Sequence, residues 1–268
     1  VRLVVTTPRD SVPHEEAAAQ EAARRHDLPF ARRRGRPLDE VAGREGADAL
    51  LVLGARVASL WIEGHEHRWS AGMGELRARR LARGERTSRD AFLEASGLRP
   101  GDAVLDATLG LGMDALVAAA AVGPGGRVVG IEASRALAAL AAEGLARHPS
   151  AAARRIEVVH GEAAALLAGM APRSFDVVVF DPMFRHPRAH ARSFDVVRRL
   201  AEDRPLDPAT LAAARRVARR WVVVKDASPG WDLARLGLAP LPSSRGAKRL
   251  YARLPGSLAA GGEPGAER

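Results

Sequence analysis

There is no cysteine among the 268 residues, which excludes disulfides, thiolate metal sites and a cysteine nucleophile and is compatible with a reducing environment. Lysine is almost as scarce. Lys225 and Lys248 are the full complement, so arginine supplies nearly all of the 41 basic residues and the formal net charge of +9. Aromatic residues make up 4% of the chain, with Tyr251 its single tyrosine. No apolar run is long enough to span a bilayer, because "ADALLVLGARVASLWIEG" is broken by Gly54 and Arg56. The opening "VRLVVTTPRD" lacks the apolar core and cleavage site of a signal peptide. These absences set the expectation of a cytoplasmic protein with no membrane partner.

What is present is charge and pattern. An arginine excess of this size calls for an acidic partner, nucleic acid first among them, although an Arg-, Ala-, Leu- and Gly-rich composition can also reflect a GC-rich genome. The chain is long enough for one large domain or two modest ones. Residues 1–70 read as a small α/β unit, with a strand at Arg2–Thr7, a helix near His14–Arg25 and apolar runs at Leu50–Gly54 and Ala58–Gly64. An arginine-dense helical connector follows over 71–98. In it Leu76, Leu81, Phe92 and Leu93 are expected to pin helices to a core, Thr87 or Ser88 to cap the second helix, and Gly97 to stop it. Its Arg77, Arg79, Arg80, Arg83, Arg86 and Arg89 form either a solvated helix face or a contact surface for phosphates.

From Ala103 the strands "AVLDAT", "RVVGIE", "IEVVHG", "FDVVVFD" and "RWVVVKDA" alternate with helical segments. Continuous Val/Ile runs between helices predict a parallel sheet covered on both faces. The expected fold is α/β: a doubly wound, mostly parallel Rossmann-like sheet over 99–254, behind a small N-terminal α/β subdomain and ahead of a flexible tail at 255–268. Arg249–Leu254 is a candidate edge strand.

In such a sheet ligands lie beyond the carboxyl ends of the strands, so the residues that follow each strand carry the functional reading. After the first come Asp106, Gly110 and Gly112. The glycines let backbone approach a ligand closely, and the carboxylate suits a cationic or N–H-bearing group. "GLGMDA" also fits a dinucleotide fingerprint, but a pyrophosphate is repelled by Asp106, whereas the ammonium and sulfonium of S-adenosylmethionine (SAM) are not. After the second comes Glu132, placed for ribose hydroxyls in either kind of site. After the third, His160-Gly161-Glu162 is a candidate for the adenine edge. The fourth ends in Asp181-Pro182-Met183-Phe184, a [D/N]-P-x-[F/Y] element used on planar amino groups. There Asp181 and the Pro182 carbonyl accept N–H bonds while Phe184 stacks on the ring. The histidines show no metal-ligand spacing, and no metal is expected.

These segments resemble the 16S ribosomal RNA guanine-N2 methyltransferases of the RsmJ type and related SAM-dependent methyltransferases. The resemblance runs from about Arg68 to Tyr251 and rests on "DATLGLGMDA", "DPMFRH", "VVVK" ending at Lys225, and "GAKRLY". It implies that Asp106, Gly110, Gly112, Asp114 and Glu132 lie around SAM and that Asp181, Pro182 and Phe184 face the target amine. The resulting expectation is a SAM-dependent N-methyltransferase acting on RNA, at guanine N2 in ribosomal RNA. Arg77, Arg80 and Arg83 would form one wall of the RNA entrance and Arg185, Arg188 and Arg192 the other. The competing readings are a methyltransferase of a small molecule or protein, a non-catalytic RNA-binding protein on a SAM-binding scaffold, and an NAD(P) enzyme. The oligomeric state is left open.

Overall fold

The computed structural model describes residues 1–85, 90–182, 200–201, 204–244 and 246–257. Its N-terminal part is a sheet of β1 (Leu3–Thr6), β2 (Ala49–Leu53), β3 (Ala58–Ile62) and β4 (His65–Arg68), in that order, with β1 and β2 parallel and the rest antiparallel. Between β1 and β2 lie α1 (Pro13–Arg25) and α2 (Leu38–Glu45). Proline in its first turn, Glu15 and Glu16 near its start and Arg24 and Arg25 near its end suit α1 to the helix dipole. Gly46 ends α2 in the left-handed conformation. Two elements here were missed in the sequence. α2 is short, and β4 is "HEHR", an edge strand with no apolar face to announce it.

The arginine-dense connector forms α3 (Gly72–Ala82) and α4 (Ala91–Ser96). Phe92 is buried, and Leu81 and Leu93 pack against the same core, but Leu76 keeps 43% of its surface and pins nothing. The cap of α4 is Asp90, whose carboxylate accepts the N–H groups of Phe92 and Leu93, and not Thr87 or Ser88. Gly97 does end the helix, in the left-handed conformation.

The main sheet has six strands, β5 (Ala103–Asp106), β6 (Arg127–Glu132), β7 (Ile156–His160), β8 (Phe175–Phe180), β9 (Ala218–Ala227) and β10 (Arg249–Pro255), in the order β10-β9-β8-β5-β6-β7. All pairs are parallel except β9 with β10. Their connections contain α5 (Met113–Val122), α6 (Arg135–Arg147), α7 (Ala151–Arg154), α8 (Ala163–Gly169), α9 (Pro208–Val217) and α10 (Trp231–Arg235). The chain runs outward one way from β5 through β6 to β7 and the other way from β8 to β9. The switch point therefore lies between β5 and β8, where adjacent loops diverge and leave a crevice.

Val104, Val177, Val179 and Val223 point into one core layer with α5, while Leu105, Val178, Phe180, Val222 and Val224 point into the other with α9. This alternation explains the unbroken Val runs: both faces of each strand are covered. A third cluster joins Leu51, Leu53 and Leu60 of the N-terminal sheet to Leu137 and Leu140 of α6, so the two sheets share apolar packing. No helix among the described residues is long and apolar enough to cross a membrane.

Candidate active site

A cavity of about 420 Å³ opens at the switch point and is lined by Asp106–Leu111, Met113, Asp114, Glu132, Leu137, Glu162, Phe180, Asp181, Pro182 and the segment 204–207, among others. Three strand ends build its floor. The Ala107 N–H donates to the Val179 carbonyl (2.8 Å) and the Leu109 N–H to that of Ile131 (2.8 Å), so the loop after β5 is tied to both neighbouring strands. Glu132, at the end of β6, accepts the N–H of Gly110 (2.8 Å) and of Ser134 (2.9 Å), which anchors the glycine loop over the sheet. Burial raises the Glu132 carboxyl above its ordinary pKa, against the pull of those two N–H groups.

The loop is also held from the N-terminal side. Trp69, just beyond β4, donates its indole N–H to the Leu111 carbonyl (3.1 Å) and packs against Gly144, where a Cβ would meet the ring at 2.1 Å. Gly74 of α3 approaches Met113 so closely that a Cβ there would stand 2.5 Å from its carbonyl oxygen. These contacts join residues far apart in sequence, and nothing in the local pattern announces them.

Asp106, 4% exposed, accepts one hydrogen bond among the described residues, from the Thr108 N–H (3.2 Å). Burial first, and then the negative charge of Asp114, push its pKa up to about 7. Asp114, at the start of α5, is in the opposite situation. It is bonded by Lys225 Nζ (2.7 Å) and by Arg77 Nη1 (2.6 Å). Burial would raise its pKa, but the Lys225 and Arg77 charges outweigh that and hold it below the ordinary value. Arg77 in turn forks onto Asp90 through Nε (2.7 Å) and Nη2 (2.8 Å).

Asp181 follows β8, with its side chain 27% exposed. Its backbone N–H donates to Thr108 Oγ1 (2.6 Å) and one carboxylate oxygen accepts a close bond from Lys225 Nζ. Burial raises the Asp181 carboxyl, the Lys225 ammonium opposes the rise and the Asp114 charge adds to it. Lys225 sits in β9 on the face of Val223, between the two aspartates, and their charges raise its pKa despite its burial. A lysine at the end of "WVVV" on a buried face is the sequence signal for this ion-pair chain, and no role was read from it.

Of the residues singled out in the sequence, Asp106, Gly110, Asp114, Glu132, Glu162, Asp181 and Pro182 line the cavity. Gly112 and Gly161 are not among the lining residues. Gly112 starts α5 with φ 80° and packs against Leu145, and Gly161 donates its N–H to the Glu132 carbonyl. Glu162 stands at the N-terminus of α8 and bonds Arg204 (3.2 Å). Arg77 departs from the expected RNA wall, because its guanidinium is spent on Asp90 and Asp114 in the interior. Arg80 and Arg83 are exposed on α3 and at its end, each with Glu85 within 4.0 Å. Phe184, Arg185, Arg188 and Arg192 lie outside the described residues, as do Arg86 and Arg89. No group of three or more potential metal ligands occurs among the described residues.

The family model described as "Putative SAM-dependent methyltransferase" matches residues 71–236. YpiP, an uncharacterized protein of Bacillus subtilis, is 33% identical over 83% of this chain and 88% of its own length. Ribosomal RNA small subunit methyltransferase J of Pseudomonas aeruginosa is 33% identical over 82% of this chain and 85% of its own. The SAM-dependent methyltransferase NGO1261 from Neisseria gonorrhoeae superimposes with a TM-score of 0.61 over 99% of both chains at 22% identity, a likeness of fold.

Proposed function

The chain belongs to the SAM-dependent methyltransferases, and from that premise we propose that it methylates an exocyclic amino group of a base in RNA, guanine N2 of small-subunit ribosomal RNA. SAM, when bound, supplies a methyl group activated by a sulfonium. The cavity fits it: about 420 Å³ falls within the range of about 300–1,000 Å³ usual for small-molecule sites. The decisive feature is Asp106, a buried carboxylate with one N–H donor and a cavity in front of it, which a cationic amino-acid end would satisfy. Glu132 and the backbone of Gly110 would hold the nucleoside part and Glu162 the adenine edge.

The observation that carries the amino-group reading is the restraint on Asp181. Lys225 holds one carboxylate oxygen and Thr108 holds the backbone N–H, so the other oxygen is aimed by both restraints. An exocyclic amine is a weak nucleophile because its lone pair is delocalised into the ring. Asp181 and the Pro182 carbonyl would accept its two N–H bonds, orient the lone pair and favour attack. Asp181, its affinity for protons raised by burial, would then take the proton that the methylated nitrogen gives up. Phe184, three residues on, is the proposed stacking partner, and Arg80, Arg83, Arg185, Arg188 and Arg192 are proposed phosphate contacts.

RNA as the substrate class draws on the methyltransferase J relative, on the +9 charge and on the D-P-x-F element. The test is transfer of labelled methyl from SAM to small-subunit RNA, followed by nucleoside analysis. N2-methylguanosine is the expected product. Label confined to protein, ribose hydroxyls or ring carbons would contradict the proposal.

A further inference from the structure

Trp231 is the single residue among the described Phe, Tyr and Trp that counts as exposed, with 66% of its surface open. A tryptophan spends its large apolar area in contacts wherever it can, so an open one on a stiff support invites a reason. The support is stiff. Asp226, next to Lys225, accepts the N–H of Ala227 (2.6 Å) with one carboxylate oxygen and those of Asp232 (2.8 Å) and Leu233 (3.1 Å) with the other. Gly230, at φ 93°, donates to the Ala227 carbonyl (2.7 Å), and Ser228 donates to that of Lys248 (3.1 Å).

This turn leaves β9 at its carboxyl end, the edge on which the cavity opens, and lies against the start of β10. Arg249 is in register with Ala227, and a Cβ on Gly230 would stand 3.1 Å from Leu250. On one side the rim adjoins Asp181, which Lys225 bonds directly and whose ionised form the Arg249 charge favours. On the other, Arg235 of α10 donates to the carbonyl of Leu206 (2.7 Å), a residue of the cavity wall. Lys248 and Arg249 are exposed and form no salt bridge or side-chain hydrogen bond among the described residues. The arginines of α3 differ, since Arg77 and Arg79 are engaged by carboxylates and Arg80 has one within 4.0 Å.

We infer that Trp231, Lys248 and Arg249 form the landing surface for single-stranded RNA beside the target nucleotide, the indole stacking on a base and the two cations taking phosphates. This rests on the RNA reading above and goes beyond it by naming where the strand lies. An aromatic face with exposed cations near it is the chemistry of single-strand binding: stacking accepts any base, and phosphate contacts ignore sequence. It also moves the polar contribution from the expected α3 wall to the start of β10.

The test is fluorescence anisotropy of a labelled single-stranded RNA oligonucleotide, and of the same sequence annealed into a duplex, across a salt series. Trp231→Ala should weaken single-strand binding by about five- to a hundredfold, as for one lost stacked base, and Trp231→Phe should recover most of it. Lys248→Ala and Arg249→Ala should each lower the salt slope by about 0.7. Arg215→Ala and Arg219→Ala are controls, because Arg219 lies in the first residues of β9 and Arg215 bonds the Pro255 carbonyl beside them, at the edge away from the cavity. SAM affinity should be equal in all variants, which verifies folding. RNA binding by the unaltered protein with equal effects from rim and control variants would overturn the inference. So would a preference for the duplex, or a Trp231→Ala change confined to self-association. Absence of single-strand binding by the unaltered protein would instead remove the RNA reading itself.

Discussion

Glu143 and Asp106 are both buried carboxylates, and the chain surrounds them in opposite ways. Glu143, in α6, accepts bonds from Arg25 (2.9 Å), from His26 (2.8 Å) and from Arg147, which ties the end of α1 to the main domain. Burial would raise its pKa, but the His26 and Arg147 hydrogen bonds and the Arg147 charge outweigh it and bring it to about 2. Asp106 has one N–H and a pKa near 7. The protein completes Glu143 with its own cations and leaves Asp106 to be completed from the cavity, so the former reads as a structural joint and the latter as a ligand's counter-charge.

The largest effect expected lies just beyond Asp106. Asp181→Ala should reduce methyl transfer by about a hundred- to ten-thousandfold, the range for a lost acid–base group, while calorimetry shows SAM affinity within a few fold. A variant that kept its rate would detach Asp181 from the chemistry. Next comes the joint: Glu143→Ala takes the buried carboxylate away from Arg25, His26 and Arg147 and should cost about 3–5 kcal/mol in denaturant unfolding, as for a broken buried pair. A loss below about 1 kcal/mol would remove the difference between Glu143 and Asp106. Because its folded pKa is depressed to about 2, the stability that Glu143 contributes is present above the ordinary carboxylate pKa and lost as the pH falls from there through about 2.

Asp106→Asn should behave in the reverse sense. Loss of a charge-assisted contact should weaken SAM binding by about 1.5–3 kcal/mol, yet the ligand-free variant should melt higher than the unaltered protein above neutral pH. The sign follows from the raised pKa: the Asp106 contribution is intact in acid and is lost as the pH rises through about 7. The smallest effect is at Trp69. Trp69→Phe removes the bond to Leu111 and should cost about 1 kcal/mol of SAM affinity with methyl transfer at saturating SAM unchanged.

The same contrast marks what a linear reading reaches. β5, β6 and β8 are legible because strands covered on both faces favour runs of apolar, β-branched residues, and Asp106, Glu132 and Asp181 because a parallel sheet delivers its strand ends to one edge. β4 was not, since a polar edge strand owes its existence to pairing with β3. Arg77 was misread as a surface cation because its partner Asp114 is 37 residues away. Gly112 and Gly161, expected as cofactor contacts, take positive-φ conformations at the start of α5 and at the exit from β7. Lys225 shows the limit most plainly. Its charge is visible in the sequence, but the two aspartates that explain it come from the start of α5 and the end of β8.

The central claim is that Asp106 awaits a cation, and SAM titrations by calorimetry from about pH 6 to about pH 8, around its pKa of about 7, test it most directly. With buffers of differing ionisation enthalpy, SAM binding should release protons near neutrality and tighten as the pH rises, and Asp106→Asn should bind more weakly with that dependence gone. SAM affinity that is flat with pH, or an Asp106→Asn variant that titrates like the unaltered protein, would contradict the account.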